Sequence, residues 1–427
     1  MNKKCLSIWL SLFFVVFGLL LSSCEKDNLL INPQSNHDLE IFKQELMEKI
    51  SQNADISEEI SSAIAVNFLA KNNNKEKNFY QVKSTKQIKD YNNDIAIYAI
   101  NLEPEGFVLV SSNTKNIPII AYSDEGIFKL TDTSPDGLKS WLAEAIIINN
   151  KLEELEKPLK EIEHNWSILL DQKSFPDPGD EIIVYSHSVT NQYGPLLQTL
   201  WDQGAPYNEF TPNNWPTGCV AVATAQVMRY HQWPNTFNWV IMPNNPPAWS
   251  TTVGSFEIAE LMADIGEKVN MDYSATGSGA QTADAKNTLV NDYQYSSQAY
   301  YANYNFNTTK NEITSNRPVI MDGYHTTYTT GWWLWQTTHY EDGHAWVCDG
   351  YKLHYDVYIH NPGTYYEYTT QENRNEWLHM NWGWGGAGNG WFINSHIYVS
   401  NVFINIDGDL VNPDFKYKRR CIYKIKK

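Results

Sequence analysis

The chain has 427 residues, enough for two or three domains with a sizeable hydrophobic core. Hydrophobic residues make up 42% of it and charged residues 19%, which is typical of a folded globular protein and excludes a largely disordered one. The formal net charge of −17 argues against a general nucleic-acid-binding protein, because such proteins present basic surfaces.

The first segment of the chain has the pattern of an export signal with a lipid-attachment site. Two lysines precede an apolar run over residues 6–21. The run ends in Leu-Ser-Ser-Cys, which resembles the lipobox of bacterial lipoproteins, where the signal is cut before a cysteine that is then acylated. We expect a signal peptide over residues 1–23, lipidation of Cys24 and a tether over residues 24–35. The protein would then be exported and held on a bacterial membrane by acyl chains. A plain transmembrane anchor is the alternative, for which the run is short.

Residues 36–170 are predicted to form a small α+β unit of their own. Helices are expected over residues 37–50, 55–70 and about 136–165, and strands over 95–100, 107–112 and 117–122. Asp55 is the expected cap of the second helix. The unit contains no nucleophile, histidine cluster or metal-binding pattern. The Pro- and Gly-rich stretch at 174–181, just beyond it, is the predicted boundary or cleavage loop.

A cysteine stands at the start of a predicted helix in the second unit, residues 171–427. Apolar side chains recur at helical spacing within residues 217–234, with Thr217 as the expected N-cap and Pro234 as the stop. Cys219 would lie in the first turn, at the positive end of the helix dipole. This position lowers the pKa of a thiol and favours the nucleophilic thiolate. A structural cysteine that seals a helix–loop junction is the alternative.

The number of cysteines indicates a free thiol. Cys5 leaves with the expected signal and Cys24 would be acylated, so Cys219, Cys348 and Cys421 remain. Three is an odd number, so at least one of them is unpaired or pairs with another chain. An unpaired thiol in an exported protein needs a reason, and catalysis is one.

A thiolate nucleophile needs a base, and His344 is the favoured histidine. His231 lies twelve residues beyond Cys219 on the same predicted helix, about 18 Å away, which excludes it. Three further histidines lie in tyrosine-rich stretches and are expected to be surface or structural: His339, His354 and His360. His344 follows a glycine and begins an alternating, strand-like run.

Cys348 is a rival nucleophile on the same predicted strand. His344, Trp346 and Cys348 would share one face, but four strand residues span about 13 Å, too far for a hydrogen bond. Cys348 is therefore expected in the core. Asp349 would point to the opposite face, which makes it a poor partner for His344.

The imidazole in such pairs is held by a third group. The glycine-dense, tryptophan-rich stretch 378–392 contains Asn381, which could bond the ring, and Trp382 and Trp384, which could cover that bond. The alternative is a β-hairpin in which the glycines serve the turn and the tryptophans only pack.

Four segments, in this order, resemble the streptopain-type cysteine peptidases, which have a papain-like fold: residues 195–208, 217–234, 343–351 and 379–392. The resemblance implies that Cys219 is the nucleophile and His344 the general base and acid. It leaves open whether Asn381 or Trp382 is the third member. It also implies an oxyanion site formed partly by the backbone N–H of Cys219, with Gln203 as a candidate side-chain donor.

The resemblance extends to residues 96–128, which look like the propeptide of this family, itself related to a separate inhibitor protein. It implies an α+β, papain-like peptidase domain in which a helix bearing the cysteine packs on an antiparallel sheet carrying the histidine, preceded by the propeptide. The partners would be protein or peptide substrates and the chain's own propeptide, acting as an inhibitor. The basic end of the chain, residues 415–427, is expected to be a solvated tail.

Two other classes of function stay beside the peptidase. A glycan- or protein-binding surface lipoprotein would use exposed tryptophans and would not depend on Cys219. A transglutaminase-like acyltransferase would share the Cys–His chemistry but transfer the acyl group to an amine. A metal enzyme is disfavoured because the sequence has neither an H-E-x-x-H nor a C-x-x-C pattern, and no cofactor is expected.

Overall fold

A computed structural model of the protein describes residues 44–50, 52, 54–76, 79–131, 134–155, 157–158, 162, 165–166, 169, 183–330, 337–363, 365, 368–394, 396–399, 402–405 and 419–427. The expected signal peptide, lipidation site and tether (residues 1–35) lie outside these ranges, as does the expected boundary loop at 174–181. All described residues belong to one unit that begins at Asn32. No helix in the described ranges is long and apolar enough to cross a bilayer.

The N-terminal part forms the α+β unit that the apolar pattern predicts. Its elements are α1 (Glu58–Asn72), β1 (Gln81–Lys89), β2 (Ile95–Glu103), β3 (Phe107–Ser111), β4 (Ile119–Ser123) and α2 (Asp136–Glu153). The three predicted strands are confirmed as β2, β3 and β4. The predicted cap Asp55 is wrong, because Asp55 forms an isolated bridge with Asn113 and the helix begins later. Ser57 caps α1 instead, and its hydroxyl accepts from the N–H of Ile60 at 3.3 Å.

The C-terminal part begins with a long strand and then a helical layer. Its described elements are β5 (Ile183–Tyr193), a 3-10 turn (Pro212–Asn214), α3 (Cys219–His231), α4 (Val253–Lys268), α5 (Thr282–Asn291), β6 (Tyr300–Asn303), α6 (Phe306–Thr314), β7 (Val319–Thr330), β8 (Thr337–His360), β9 (Tyr368–Asn381), β10 (Gly390–Ile393), β11 (His396–Val399), β12 (Val402–Asn405) and β13 (Arg420–Tyr423). The predicted cysteine-bearing helix is confirmed as α3. It ends at His231, and Gln232 then turns the chain with a φ of 49°.

One antiparallel sheet runs through both parts of the chain. The described strands follow the order β1-β2-β3-β4-β10-β9-β8-β7-β13-β6, with β5 paired to β8 and β11–β12 as a separate hairpin. The two parts join where β4 pairs with β10, Ala121 opposite Phe392 and Tyr122 opposite Trp391. The sheet of the N-terminal unit is thus continuous with the sheet that carries His344.

The two faces of the central strands pack against different groups of helices. Side chains of β8 alternate, so Val347 packs toward α3 and α4 whereas Trp346 and Cys348 pack toward the other face. Helix α2 of the N-terminal unit covers that other face and contacts β7 and β8. The expected fold, a helix with the cysteine against an antiparallel sheet with the histidine, is confirmed.

The expected solvated tail is wrong for residues 419–427. Strand β13 lies between β6 and β7 inside the sheet, and Cys421, Ile422 and Ile425 are fully buried. The basic run predicted exposure to solvent, but some of its charges are paired within the protein: Arg419 lies 2.9 Å from Glu144 of α2. The apolar residues between the cations are what place this segment in the core. Residues 415–418 lie outside the described ranges.

Candidate active site

The start of α3 has no side-chain hydrogen bond that caps its first turn. The N-cap residue is Gly218, with a φ of 86°, and it provides no side-chain cap. A Cβ at this position would lie 2.6 Å from the sulfur of Met271, so both backbone conformation and space require glycine. The predicted cap Thr217 is wrong, since its hydroxyl is buried and has no hydrogen-bond partner among the described residues. The first amides of the helix are therefore left for Cys219 and its ligands.

Cys219 faces His344 across the junction of helix and sheet. Burial raises the pKa of the Cys219 thiol, but the charge of His344, a hydrogen bond with its ring, and the N–H groups of Ala345 and Val220 lower the pKa by more. The net effect is a pKa below the ordinary thiol value. The Ala345 N–H donates to the sulfur at 3.3 Å. These contacts favour a thiolate–imidazolium pair.

His344 is held on its far side by a backbone carbonyl. Its Nε2 lies 2.9 Å from the carbonyl oxygen of Trp382, which can only accept, so Nε2 carries a proton and donates. Nδ1 is then the nitrogen left to exchange a proton with Cys219. The ring stacks on Trp346 with centroids 6.3 Å apart, and Trp346 contacts the ring of Trp382. His344 is 5% exposed, and the carbonyl of Trp382 fixes both the orientation of its ring and the proton on Nε2.

Of the two candidates for the third member, the structure brings Trp382 to the imidazole through its main chain. The side chain of Asn381 points elsewhere: its Nδ2 donates to the carbonyl of Thr199 at 2.8 Å, and its Oδ1 accepts from Gln226 at 3.2 Å. The stretch 378–392 is a hairpin of β9 and β10, as its glycines and strand pattern indicate.

Gln203 lies on the loop in front of Cys219. Its carbonyl accepts from the N–H of Thr217 at 3.0 Å, which closes the loop two residues before the thiol. Its side-chain amide is partly exposed and makes no hydrogen bond to the described residues. The amide therefore has donors to offer to a bound ligand.

The remaining cysteine and histidine candidates lie away from this pair. Cys348 is fully buried, and burial together with the neighbouring Asp349 and Cys421 raises the pKa of its thiol. Asp349 faces the opposite side of the strand, as expected, and bonds His379 at 2.7 Å. His231 is at the far end of α3, where burial lowers its pKa to about 4.

Two of the other three histidines bond hydroxyl groups of β5 and β9. His354 bonds the hydroxyl of Thr190, and His360 bonds that of Thr370. The side chain of His339 is not among those described. The described residues contain no group of three or more His, Cys, Asp or Glu side chains placed to hold a metal ion.

The start of α2 lies directly on the tryptophan side of the site. An added Cβ at Gly137 would be 2.7 and 2.9 Å from ring carbons of Trp346 and 3.0 Å from the ring of Trp382. Trp141, one turn on, packs edge-on against Phe392 at 4.7 Å. The N-terminal unit therefore covers the rings that hold His344. Sequence reasoning missed this contact, because a glycine inside a helix gives no signal for what approaches it.

Comparison with known proteins matches both parts of the chain. Residues 201–237 and 235–392 match the model of the peptidase C10 family, and residues 53–146 match the Spi protease inhibitor model. The thiol protease/hemagglutinin PrtT of Porphyromonas gingivalis is 26% identical over 336 residues, 68% of this chain and 32% of that protein. Streptopain of Streptococcus pyogenes is 26% identical over 337 residues, 69% of this chain and 73% of that protein. The chain thus spans about a third of the length of the first relative and nearly three quarters of the second.

A solved structure shows the same fold. The prointerpain A fragment of Prevotella intermedia aligns with a TM-score of 0.52 and 21% sequence identity, covering 81% of this chain and 99% of that one. Its match extends over both the inhibitor-like part and the part with Cys219. The chain thus carries a segment of the peptidase C10 type, residues 201–392, behind a segment of the Spi protease inhibitor type, residues 53–146.

Proposed function

We propose that this protein is an endopeptidase made as a latent precursor, with Cys219 as nucleophile and His344 as general base and acid. One observation carries the proposal: the Cys219 thiol, its pKa lowered, faces an imidazole whose other nitrogen is held by the carbonyl of Trp382. A hydrogen-bonded chain of nucleophile, base and orienting group is the arrangement that acyl transfer requires.

The first half of the reaction forms an acyl-enzyme. The Cys219 thiolate attacks the carbonyl carbon of a peptide bond, and the carbonyl oxygen becomes an oxyanion. The backbone N–H of Cys219 and the side-chain amide of Gln203 would donate to that oxygen. His344 then gives its Nδ1 proton to the leaving nitrogen, the C–N bond breaks, and an amine and a thioester remain.

The second half hydrolyses the thioester. His344, now neutral at Nδ1, takes a proton from a water molecule as the water oxygen attacks the thioester carbonyl. Collapse of the second tetrahedral intermediate releases the acid and returns the thiolate, and the proton stays on His344. Trp382 keeps Nε2 protonated throughout, so the other nitrogen does all the proton transfer.

Latency would come from residues 36–170, with the peptidase over residues 171–427. The match to an inhibitor model and the position of Gly137 against Trp346 support this division. Cleavage in the stretch 174–181 would separate the two parts.

Product analysis with an added amine separates the peptidase from a transglutaminase-like acyltransferase. We expect mass spectrometry to find only hydrolysis products of a peptide substrate, with and without millimolar methylamine. The reason is that water must reach the thioester beside His344 for a peptidase to turn over. A product carrying methylamine at a glutamine side chain, with the backbone intact, would contradict the proposal.

The precursor would be exported and lipid-anchored through Cys24. Cys24→Ala should move the protein from the membrane fraction to the soluble fraction or stop signal processing, because both acylation and the cleavage site depend on that residue. Cys5→Ala is the matched control, since this cysteine lies inside the signal and should leave fractionation unchanged. A mature N-terminus well downstream of Cys24 in untreated membranes would argue against the anchor.

A further inference from the structure

Three buried side chains beneath the site form a closed ring of hydrogen bonds. The hydroxyl of Thr199 donates to Gln226 at 2.8 Å, and Gln226 donates to the Oδ1 of Asn381 at 3.2 Å. The Nδ2 of Asn381 returns to the carbonyl of Thr199 at 2.8 Å. The ring ties the loop before the thiol, the middle of α3 and the end of β9 to one another. All three residues are buried, so these bonds are made where water does not replace them.

Asn381 makes one more bond, and it reaches the group that orients the imidazole. Its Oδ1 also accepts from the N–H of Gly383 at 3.2 Å, a side-chain-to-backbone turn across Trp382. That N–H and the carbonyl of Trp382 belong to the same planar peptide unit. The carbonyl end of this unit accepts from His344, while its N–H end is held by Asn381.

Trp382 is fixed at its other atoms as well. Its N–H donates to the side chain of Asn389 at 2.9 Å, and its indole N–H donates to the carbonyl of Gly388 at 3.0 Å. The peptide unit between Trp382 and Gly383 could still rotate, because Gly383 has a φ of 72° and a glycine tolerates many backbone angles. The Oδ1 of Asn381 accepts from the Gly383 N–H and so prevents this rotation.

We infer that Asn381 is a positioning residue: it sets the plane of the peptide whose carbonyl orients His344, and Gln226 and Thr199 hold Asn381 in place for that purpose. The inference rests on the proposed roles of Cys219 and His344. It assigns the asparagine a function through the backbone instead of direct contact with the imidazole.

The inference predicts the direction in which the pKa of Cys219 changes when Asn381 is lost. In the described elements around the imidazole, Cys219 of α3 is the titratable group that faces it, Trp346 and Trp382 cover it, and Gly137 of α2 adds no charge. If the carbonyl turns away, the imidazolium loses an acceptor and the thiolate–imidazolium pair becomes less stable. The thiol should then keep its proton to higher pH.

The test measures the rate at which iodoacetamide alkylates Cys219 in the full chain from pH 4 to 9, with the adduct quantified by peptide mass spectrometry. In Asn381→Ala we expect the profile to move up by about one pH unit, so that alkylation on the rising part of the parent's profile slows about tenfold. Asn381→Asp keeps an acceptor for the Gly383 N–H, so its profile should not move upward. The matched control is Asn101→Ala. Asn101 is also a buried asparagine whose amide bonds the N–H and the carbonyl of a backbone residue, Phe128, but it lies in the N-terminal sheet. Its profile should match that of the parent.

Cys348 and Cys421 report whether each variant is folded, because both are fully buried and stay unlabelled in an intact chain. An unmoved profile in a folded Asn381→Ala variant overturns the inference, and so does an equal upward shift in Asn381→Asp. If Cys219, Cys348 and Cys421 are all labelled in Asn381→Ala, that variant is unfolded and Gln226→Met is measured in its place. We expect a smaller upward shift of the profile for Gln226→Met, and an unmoved profile would overturn the inference. A profile that moves as expected in a protein that hydrolyses no peptide would reject the proposed function and leave the positioning role standing.

Discussion

Cys219→Ala should reduce peptide hydrolysis by roughly 10⁶-fold in kcat, and His344→Ala should cost about as much, because nucleophile and base act as one unit. Without the thiol no thioester forms, and without the imidazole the thiol loses the partner that lowers its pKa. The measurement is kcat on a fluorogenic peptide. The chain is first cut by an added peptidase that is then inhibited, since neither variant would process itself.

Cys348→Ala is the matched control for the loss of a thiol. This cysteine is buried in the sheet and its pKa is raised, so it takes no part in the chemistry, and activity should stay within a few fold of the parent. Circular dichroism should show the same fold in all three variants. Substantial hydrolysis by folded Cys219→Ala would reject the peptidase mechanism.

The uncut chain should be nearly inactive, and Gly137→Val should raise its activity. The added side chain would lie within 3 Å of the rings of Trp346 and Trp382, so the start of α2 must lift. Overpacking of this kind costs about 1–3 kcal/mol, which shifts the docking equilibrium about 5- to 150-fold toward the open form. The measurement is hydrolysis by the uncut protein, compared with the same protein after cleavage between about residues 160 and 185.

Lys151→Val is the control on the same helix, at a partly exposed position in its last turn. It should leave the uncut chain latent. After cleavage, the parent and both variants should reach the same rate, because the mature part is unchanged, and the released piece should inhibit more weakly than when tethered. An uncut parent as active as the cut one would mean that the N-terminal unit is a spacer or an adhesion domain.

The elements that the sequence predicts well are those whose own residues decide them. Strands β2 to β4 are apolar runs between turn residues, and α3 combines a helical apolar period with a stop signal. Strand β1 was not predicted, because it is an exposed edge strand of mostly polar residues that pairs on one side only. The caps at Asp55 and Thr217 were wrong, since a cap depends on where the chain enters the helix and not on residue type alone.

At the site, sequence predicts which residue types meet but not how the backbone is turned. Cys219 follows from a helix start, and His344 from the alternating run that follows Gly343. That run lies inside β8, which begins at Thr337, and not at the start of the strand. The choice between Asn381 and Trp382 depends on the orientation of one peptide plane, which no spacing encodes. Gln226 gave a usable signal, since a glutamine within the buried, mostly apolar run Val220–Met228 must find buried partners.

Because β4 pairs with β10, activation would also change which strand forms the edge of the sheet. While the N-terminal unit is in place, β10 is an interior strand with a neighbour on either side. If that unit leaves on activation, as we propose, Trp391 and Phe392 would lie on an open edge whose backbone groups face solvent. Activation would therefore change the edge of the sheet from the polar outer strand β1 to the aromatic strand β10. Strand β10 has only four residues, Gly390–Ile393, and short edge strands are one of the means by which natural sheets avoid edge-to-edge pairing. The mature enzyme would thus have an edge strand too short to pair easily with a strand of another chain.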